Sequence, residues 1–276
     1  MNRLLTVLFL SGFCFSAEAA SVAPKVEVSS TKVTHGGILV VKVFDKTAKR
    51  VQIKKSVFPL FDGKEGASKG VLLGVPAWWD IGGKYDLKVD GRKTGQVVEV
   101  GGRVFKSEEI EIEKSRLVAN EETAKQRKRL AKEISFLKDE KYWSGNFIKP
   151  VEGRITTEYG MGRVVNGSPG GIHRGLDIAA DEGTEIKAAN NGVVTLSRNH
   201  ILTGNTIVIN HGAGVVSVYY HMSALIAEEN AKVKKGEIIG KVGSTGVSTG
   251  AHLHWGIWIF GVDVNPLELI EKEIEF

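Results

Sequence analysis

Four histidines and one aspartate in this 276-residue chain have types and spacing that can do chemistry: His173-x-x-x-Asp177, His221, and His252-x-His254. Neutral imidazole and carboxylate are borderline ligands suited to Zn²⁺, and a catalytic zinc takes three protein ligands with a fourth position open to water. The chemistry open to such a set is hydrolysis, because bound zinc lowers the pKa of water from about 15.7 to about 7 and polarises a carbonyl. Alone, a His-x-x-x-Asp pair or a His-x-His triplet is common and usually incidental. Their coincidence with a third strand-borne histidine in one β-rich region is what points to a metal.

Strands and tight turns must position these groups. On a strand, His-x-His puts both imidazoles on one face and Leu253 on the other, because side chains alternate with period two. The same alternation over Val215–His221 groups Ser217, Tyr219 and His221 on one face and Val216, Val218 and Tyr220 on the other. Tyr219 is thereby expected in the cleft with His221, as a candidate to stabilise developing charge. Asn205 and Arg163 are candidate substrate contacts. The glycine turns Gly170-Gly171 and Gly243 to Gly250 free the backbone to bring the ligand-bearing segments close or to admit an extended substrate. Strands are predicted at residues 186–189, 192–196, 206–210, 215–221, 237–242 and 252–260, with almost no helical periodicity, so this half reads as antiparallel β with long loops.

The first half is also β. Strand signals run at residues 25–28, 37–44, 50–54, 71–75, 84–89, 96–100 and 103–113; several alternate between apolar and polar, as in Ile110-Glu111-Ile112-Glu113, and predict a small sandwich with one wet face. Trp78 and Trp79 offer a sugar-binding surface, although tryptophans in a small sandwich more often fill core. From Asn120 to Glu140 the composition changes to Lys, Arg, Glu and Ala, with Asn120 as N-cap and Leu130, Ile134 and Leu137 at helical spacing, which predicts a helical connector. Its Lys125–Arg129 charges read as a solvated face.

Residues 1–20 have the layout of a secretory signal: Arg3, the apolar stretch Leu4–Phe15, and small residues at Ala17 and Ala19. That stretch is too short to span a bilayer. Phe13 is large where a lipidation signal wants a small residue, so Cys14 is not expected to carry lipid. Cleavage after Ala19 or Ala20 removes the chain's one cysteine, leaving packing and metal to stabilise the fold. The mature chain is therefore expected outside the cytoplasm, in the periplasm or cell envelope or secreted, with no transmembrane segment. The net charge of +5 suits an anionic wall or ordinary solubility equally. No nucleic-acid partner is expected, and nothing in the sequence sets an oligomeric state.

The second half resembles the lysostaphin-type, or LytM-domain, zinc metallopeptidases of peptidoglycan. The resemblance is carried in order by His173-Arg174-Gly175-Leu176-Asp177-Ile178, Gly204–Gly212, Tyr219-Tyr220-His221-Met222-Ser223, Lys235–Gly240, Gly243–Gly246, Gly250–Trp255 and Asn265-Pro266-Leu267. It implies one Zn²⁺ per chain bound by His173, Asp177 and His254, with His221 and His252 beside the reacting water, and peptide bonds of bacterial peptidoglycan as the substrate. Met222 and Ala251 stand where relatives more often carry Leu and Pro, and neither supplies a ligand. A non-catalytic regulator of another wall hydrolase is the alternative, although such members usually lack the ligands present here. A phosphocarrier role is disfavoured by the export signal. The expected plan is a signal peptide at 1–20, an amino-terminal β-sandwich-like domain at 21–113, the helical connector at 114–146, and the mainly antiparallel peptidase domain at 147–276.

Overall fold

The computed structural model of the protein describes residues 23–63, 66, 68–113 and 119–276. The expected signal at residues 1–20, with Arg3 and Cys14, lies outside them. Two sheets form the amino-terminal region. One runs in the order Val26–Val28, Ile38–Val43, Lys69–Gly74, Phe61–Asp62, the other Lys32–Thr34, Arg92–Gly101, Lys84–Val89, Arg50–Ile53, Ser56–Pro59. Alternating apolar residues such as Val51, Ile53, Leu87, Val89, Val98 and Val100 turn inward and are fully buried in a common core with Val41, Val43 and Val71. The tryptophan pair divides: Trp79 is buried, with its carbonyl 2.8 Å from His35 Nε2, while Trp78 is exposed.

The second region is organised by an antiparallel sheet in the order Arg154–Thr157, Leu176–Ala179, His252–Ile259, Val215–Met222, Gly204–Gly212, Gly192–His200, Lys232–Val233, with Val262–Val264 paired to the end of His252–Ile259. Its two faces differ in kind. Leu176, Ile178, Ile207, Ile209, Tyr219, Leu253, Trp255 and Ile257 pack into the main core. The opposite face carries Asp177 and His254, then Tyr220, Val218, Val216, Trp258, Val208 and Leu196, which form a separate small cluster.

The connector helix, Glu121–Ser135, covers that small cluster with Leu130 and Ile134. Asn120 caps it, its side chain accepting from the Thr123 amide while the Thr123 hydroxyl accepts from the Asn120 amide, and Glu121 and Glu122 face the positive end of the helix dipole. The helix stops short of the expected Glu140. Leu137 lies beyond its end and is half exposed, so it joins no core.

One segment departs from the expected plan. The last strand of the residue 103–113 run, Ser107–Ile110, leaves the amino-terminal sheets and pairs in parallel with Gly162–Val165, as the third strand of a small sheet completed by Ser168–Ile172. Asn166 fastens its end, donating to the Ile112 carbonyl and accepting from the Ile112 amide. Alternation correctly marks a strand here but carries no information about which sheet receives it. The two regions share one continuous core, to which Phe276 and Val264 contribute beside Leu72 and Leu73, and the Phe58 and Phe260 rings meet edge to face at 5.1 Å.

Candidate metal centre

Residues directly opposed in an antiparallel ladder project from the same face. Asp177 is opposed to His254, and His254 to Tyr220, so three neighbouring strands raise one row of side chains over the sheet. His173 reaches the row from the loop after Ser168–Ile172, where its amide donates to the Met161 carbonyl and its carbonyl accepts from Gly160. Gly175 leaves room for the row: a Cβ there would stand 2.8 Å from His254 Nε2 and 2.5 Å from the Trp255 carbonyl oxygen.

Three donor atoms converge. His173 Nε2 is 2.9 Å from Asp177 Oδ1 and 2.9 Å from His254 Nδ1, and His254 Nδ1 is 2.8 Å from Asp177 Oδ1. All three residues are buried. His173 Nδ1 lies 3.0 Å from the Glu158 carbonyl, to which an Nδ1–H donates, so Nε2 keeps its lone pair for the centre of the triangle. Burial would raise the Asp177 carboxyl, but hydrogen bonds and charge from His173 and His254 hold it well below the usual carboxylate range. Burial pushes the His254 imidazole down to about 4, against the pull of Asp177. An ionised carboxylate and neutral imidazole are the forms in which these groups ligate metal. The ligand atoms of tetrahedral zinc, at about 2.0–2.1 Å from the ion, stand about 3.3 Å apart. The observed triangle is slightly tighter, so a small outward shift of the His173, Asp177 and His254 side chains would let them hold a zinc ion.

His221 and His252 complete the histidine cluster, their ring centroids 4.9 Å apart. Each has Nδ1 at 2.8 Å from a backbone carbonyl, Thr245 for His221 and Gly250 for His252, which turns the lone pair of Nε2 toward the cleft. His252 Nε2 is 3.8 Å from Asp177 Oδ1. Burial pushes His221 down to about 3, leaving it neutral near pH 7.

The expectation for Tyr219 is overturned. Pairing jumps from Tyr219–Ile207 to Met222–Asn205, so Tyr220 and His221 together oppose Thr206 in a β-bulge, with His221 at φ +64. The extra residue breaks the period of two just before the histidine. Tyr220, not Tyr219, shares the site face with His221, and its ring stacks on His254 at 5.0 Å and 7°. Tyr219 points into the core, fully buried, its hydroxyl 2.9 Å from the Ala189 amide and 3.0 Å from Ser217 Oγ.

Of the two other candidates, one lies at the cleft and one does not. Arg163 lines the cleft, but its guanidinium is engaged by Asp177 Oδ2 at 2.8 Å and Glu108 Oε1 at 3.2 Å. Asn205 does not line the cleft: its side chain bonds the Ser223 carbonyl and Asn199, and its amide donates to Thr245 Oγ1. It helps to fix the Thr245 shelf on which His221 rests. The cleft, about 410 Å³, is walled by Thr156 and Thr157, the loop Val247–Ala251, and Glu108, Ile110 and Ile112 from the docked segment. Tyr220 and Glu108 escaped sequence reasoning. The bulge that brings His221 onto the face of Tyr220 has no glycine to mark it, and Glu108 lies far away in the chain.

Residues 171–266 match the family model for peptidase family M23. The DD-carboxypeptidase/endopeptidase Mpg of Neisseria meningitidis is 43% identical over 98 residues, 36% of this chain and 23% of that protein. The murein hydrolase activator NlpD of Escherichia coli is 35% identical over 124 residues, 45% of this chain and 31% of that protein. The chain thus spans about a quarter to a third of the length of these curated relatives. A crystal structure of a Pseudomonas aeruginosa protein assigned to peptidase M23 superposes over 86% of this chain and 94% of its own, with a TM-score of 0.66 at 23% identity, and so shares the fold of both regions. Ordered motifs, a mainly β fold and a buried His-Asp-His triangle coincide in one segment: residues 171–266 match a LytM-type domain of peptidase family M23.

Proposed function

We propose that the protein is an exported zinc metalloendopeptidase that hydrolyses peptide bonds of bacterial peptidoglycan, with one Zn²⁺ per chain held by His173, Asp177 and His254. The observation that carries this reading is the convergence of three donor atoms within 2.9 Å beside two further imidazoles whose free nitrogens face the same cleft. Peptidoglycan as substrate is supported by similarity to the peptidoglycan DD-endopeptidase ShyA of Vibrio cholerae, 38% identical over 96 residues. Export is supported by the layout of residues 1–20 and by the location of peptidoglycan itself. Among the described residues no helix is long and apolar enough to cross a membrane.

Zinc at this site supplies a water that ionises near neutral pH and a Lewis acid for the scissile carbonyl. The protein's part is positioning and proton traffic. The cleft admits an extended peptide between the docked 107–112 segment and the Val247–Ala251 loop. His221 and His252, each with Nδ1 fixed by a carbonyl, present Nε2 to take the proton of the attacking water and, once protonated, to hold charge on the tetrahedral oxygen or return the proton to the leaving amine. Tyr220 backs the His254 ring and keeps water from its far face.

The match to an activator raises a second reading, a domain that binds another wall hydrolase without turnover. The complete ligand set with both flanking histidines favours catalysis. Zinc content and muropeptide release from purified sacculi decide between them: His254→Ala is expected to lose both stoichiometric zinc and hydrolysis, and His221→Ala to keep most of the zinc while the rate falls at least about 100-fold. Wild-type digestion by His221→Ala would remove that histidine from the mechanism. A zinc-free wild-type chain that releases no muropeptide would favour the activator.

A further inference from the structure

The two oxygens of Asp177 face different neighbours. Oδ1 turns to His173 and His254, whereas Oδ2 accepts from Arg163 Nη2 at 2.8 Å. Arg163 is held on its other edge by Glu108 Oε1, 3.2 Å from Nε. Glu108 and Arg163 are direct partners in the parallel ladder between Ser107–Ile110 and Gly162–Val165, so the backbone register itself brings them together. A guanidinium suits this place because its planar fork can donate to two carboxylates at once, which an ammonium does less well. The Arg163 and Glu108 side chains are 28% and 29% exposed and Asp177 is 9% exposed, so water screens the Asp177 contact less than it would a surface pair.

We propose that Arg163 is a positioning residue of the metal centre, fixing Asp177 as a ligand through Oδ1 alone, and that Glu108 makes this hold depend on the docked 107–112 segment. The proposal rests on the reading of His173, Asp177 and His254 as zinc ligands. A carboxylate free to turn about its Cβ–Cγ bond presents either oxygen; one locked by a guanidinium presents the same oxygen each time the ion arrives. Such outer partners typically contribute about 10–100-fold to metal affinity. The segment from the first half of the chain thereby reaches the metal without touching it, through Glu108, Arg163 and Asp177 in series.

The test is zinc affinity of the full mature chain, measured by competition with a chromophoric chelator, with a thermal melt of each variant beside it. Arg163→Ala is expected to weaken zinc about 10–100-fold. Arg163→Lys, which keeps the charge but loses the fork, should recover part of that. Glu108→Gln should weaken zinc by less than Arg163→Ala, and adding it to Arg163→Ala should change nothing further, because Glu108 acts through the guanidinium. Should Arg163→Ala fail to fold, Arg163→Lys and Glu108→Gln carry the test, and wild-type affinity in both overturns the proposal. Wild-type affinity in a folded Arg163→Ala overturns it alone, whereas a parent chain that binds no zinc overturns the metal-centre reading with it. A further loss from Glu108→Gln on the Arg163→Ala background overturns the series arrangement.

Discussion

Three of the four clustered histidines are tied to a backbone carbonyl through Nδ1, and His254 is the exception that turns Nδ1 to the centre. Neutral imidazoles differ only in which nitrogen keeps the lone pair, so these carbonyls decide what each ring can do. The adjacent tyrosines make the same point about side-chain direction. Tyr219→Phe removes a hydroxyl partnered in the core and is expected to cost about 1–2 kcal/mol of stability in a urea melt with the hydrolysis rate unchanged. Tyr220→Ala, by contrast, uncovers one face of His254, and is expected to weaken zinc binding in a chelator competition. Equal rates and zinc affinities for the two variants would put neither ring at the site.

At the scale of elements, the bulge at Tyr220 and His221 works with the loop that follows the strand Ile238–Lys241. Gly204, at φ +63, would place a Cβ 2.2 Å from Thr245 Oγ1 and 2.4 Å from its carbonyl oxygen, the acceptor of His221. Gly204→Ala should therefore both destabilise the fold, by about 1–3 kcal/mol, and lower the rate through a displaced His221, seen as a lower Tm together with a lower kcat. On the far side of the sheet, His211 is fully buried between the Asn191 carbonyl and Ser217 Oγ, and burial pushes it down to about 4 from 6.5. Between those values the unfolded chain binds a proton that the folded chain refuses. Stability is thus expected to fall as pH drops from about 6.5 to about 4, by up to about 3 kcal/mol from this residue. Urea melts at pH 7 and pH 5 should differ less in His211→Gln than in the parent; an identical difference in both would discharge His211 from the effect.

The molecule as a whole behaves as one packed body in which the cleft of the second region is completed by residues from the first half. Phe276 is buried in the shared core, its ring 5.6 Å from that of Trp143. Phe276→Ala is expected to cost about 3–5 kcal/mol and to lower the Tm of the whole chain in calorimetry. A continuous core also predicts one cooperative transition instead of two, with near-ultraviolet and far-ultraviolet circular dichroism changing together. Separate transitions would mean that the regions unfold independently and that the docked 107–112 segment is weakly held.

Much of this architecture is local and so can be read along the chain. Period-two runs of Val and Ile mark the strands, Asn120 and the acidic first turn mark the helix start, and His252-x-His254 shares a face whatever the fold around it. The motif residues His173, Asp177, His221, His252 and His254 come together as the spacing and the family resemblance imply, because ligand chemistry restricts the residue types. Register and sheet membership are different, since they are set by partners distant in sequence. Only tertiary pairing decided that a bulge brings His221 onto the face of Tyr220 while Tyr219 stays in the core, that Asn205 braces a loop, and that residues 107–110 join the second region and set Glu108 on Arg163. A strand records in its own residues which faces are apolar, but the edge it joins is chosen by the free energy of the assembled sheet.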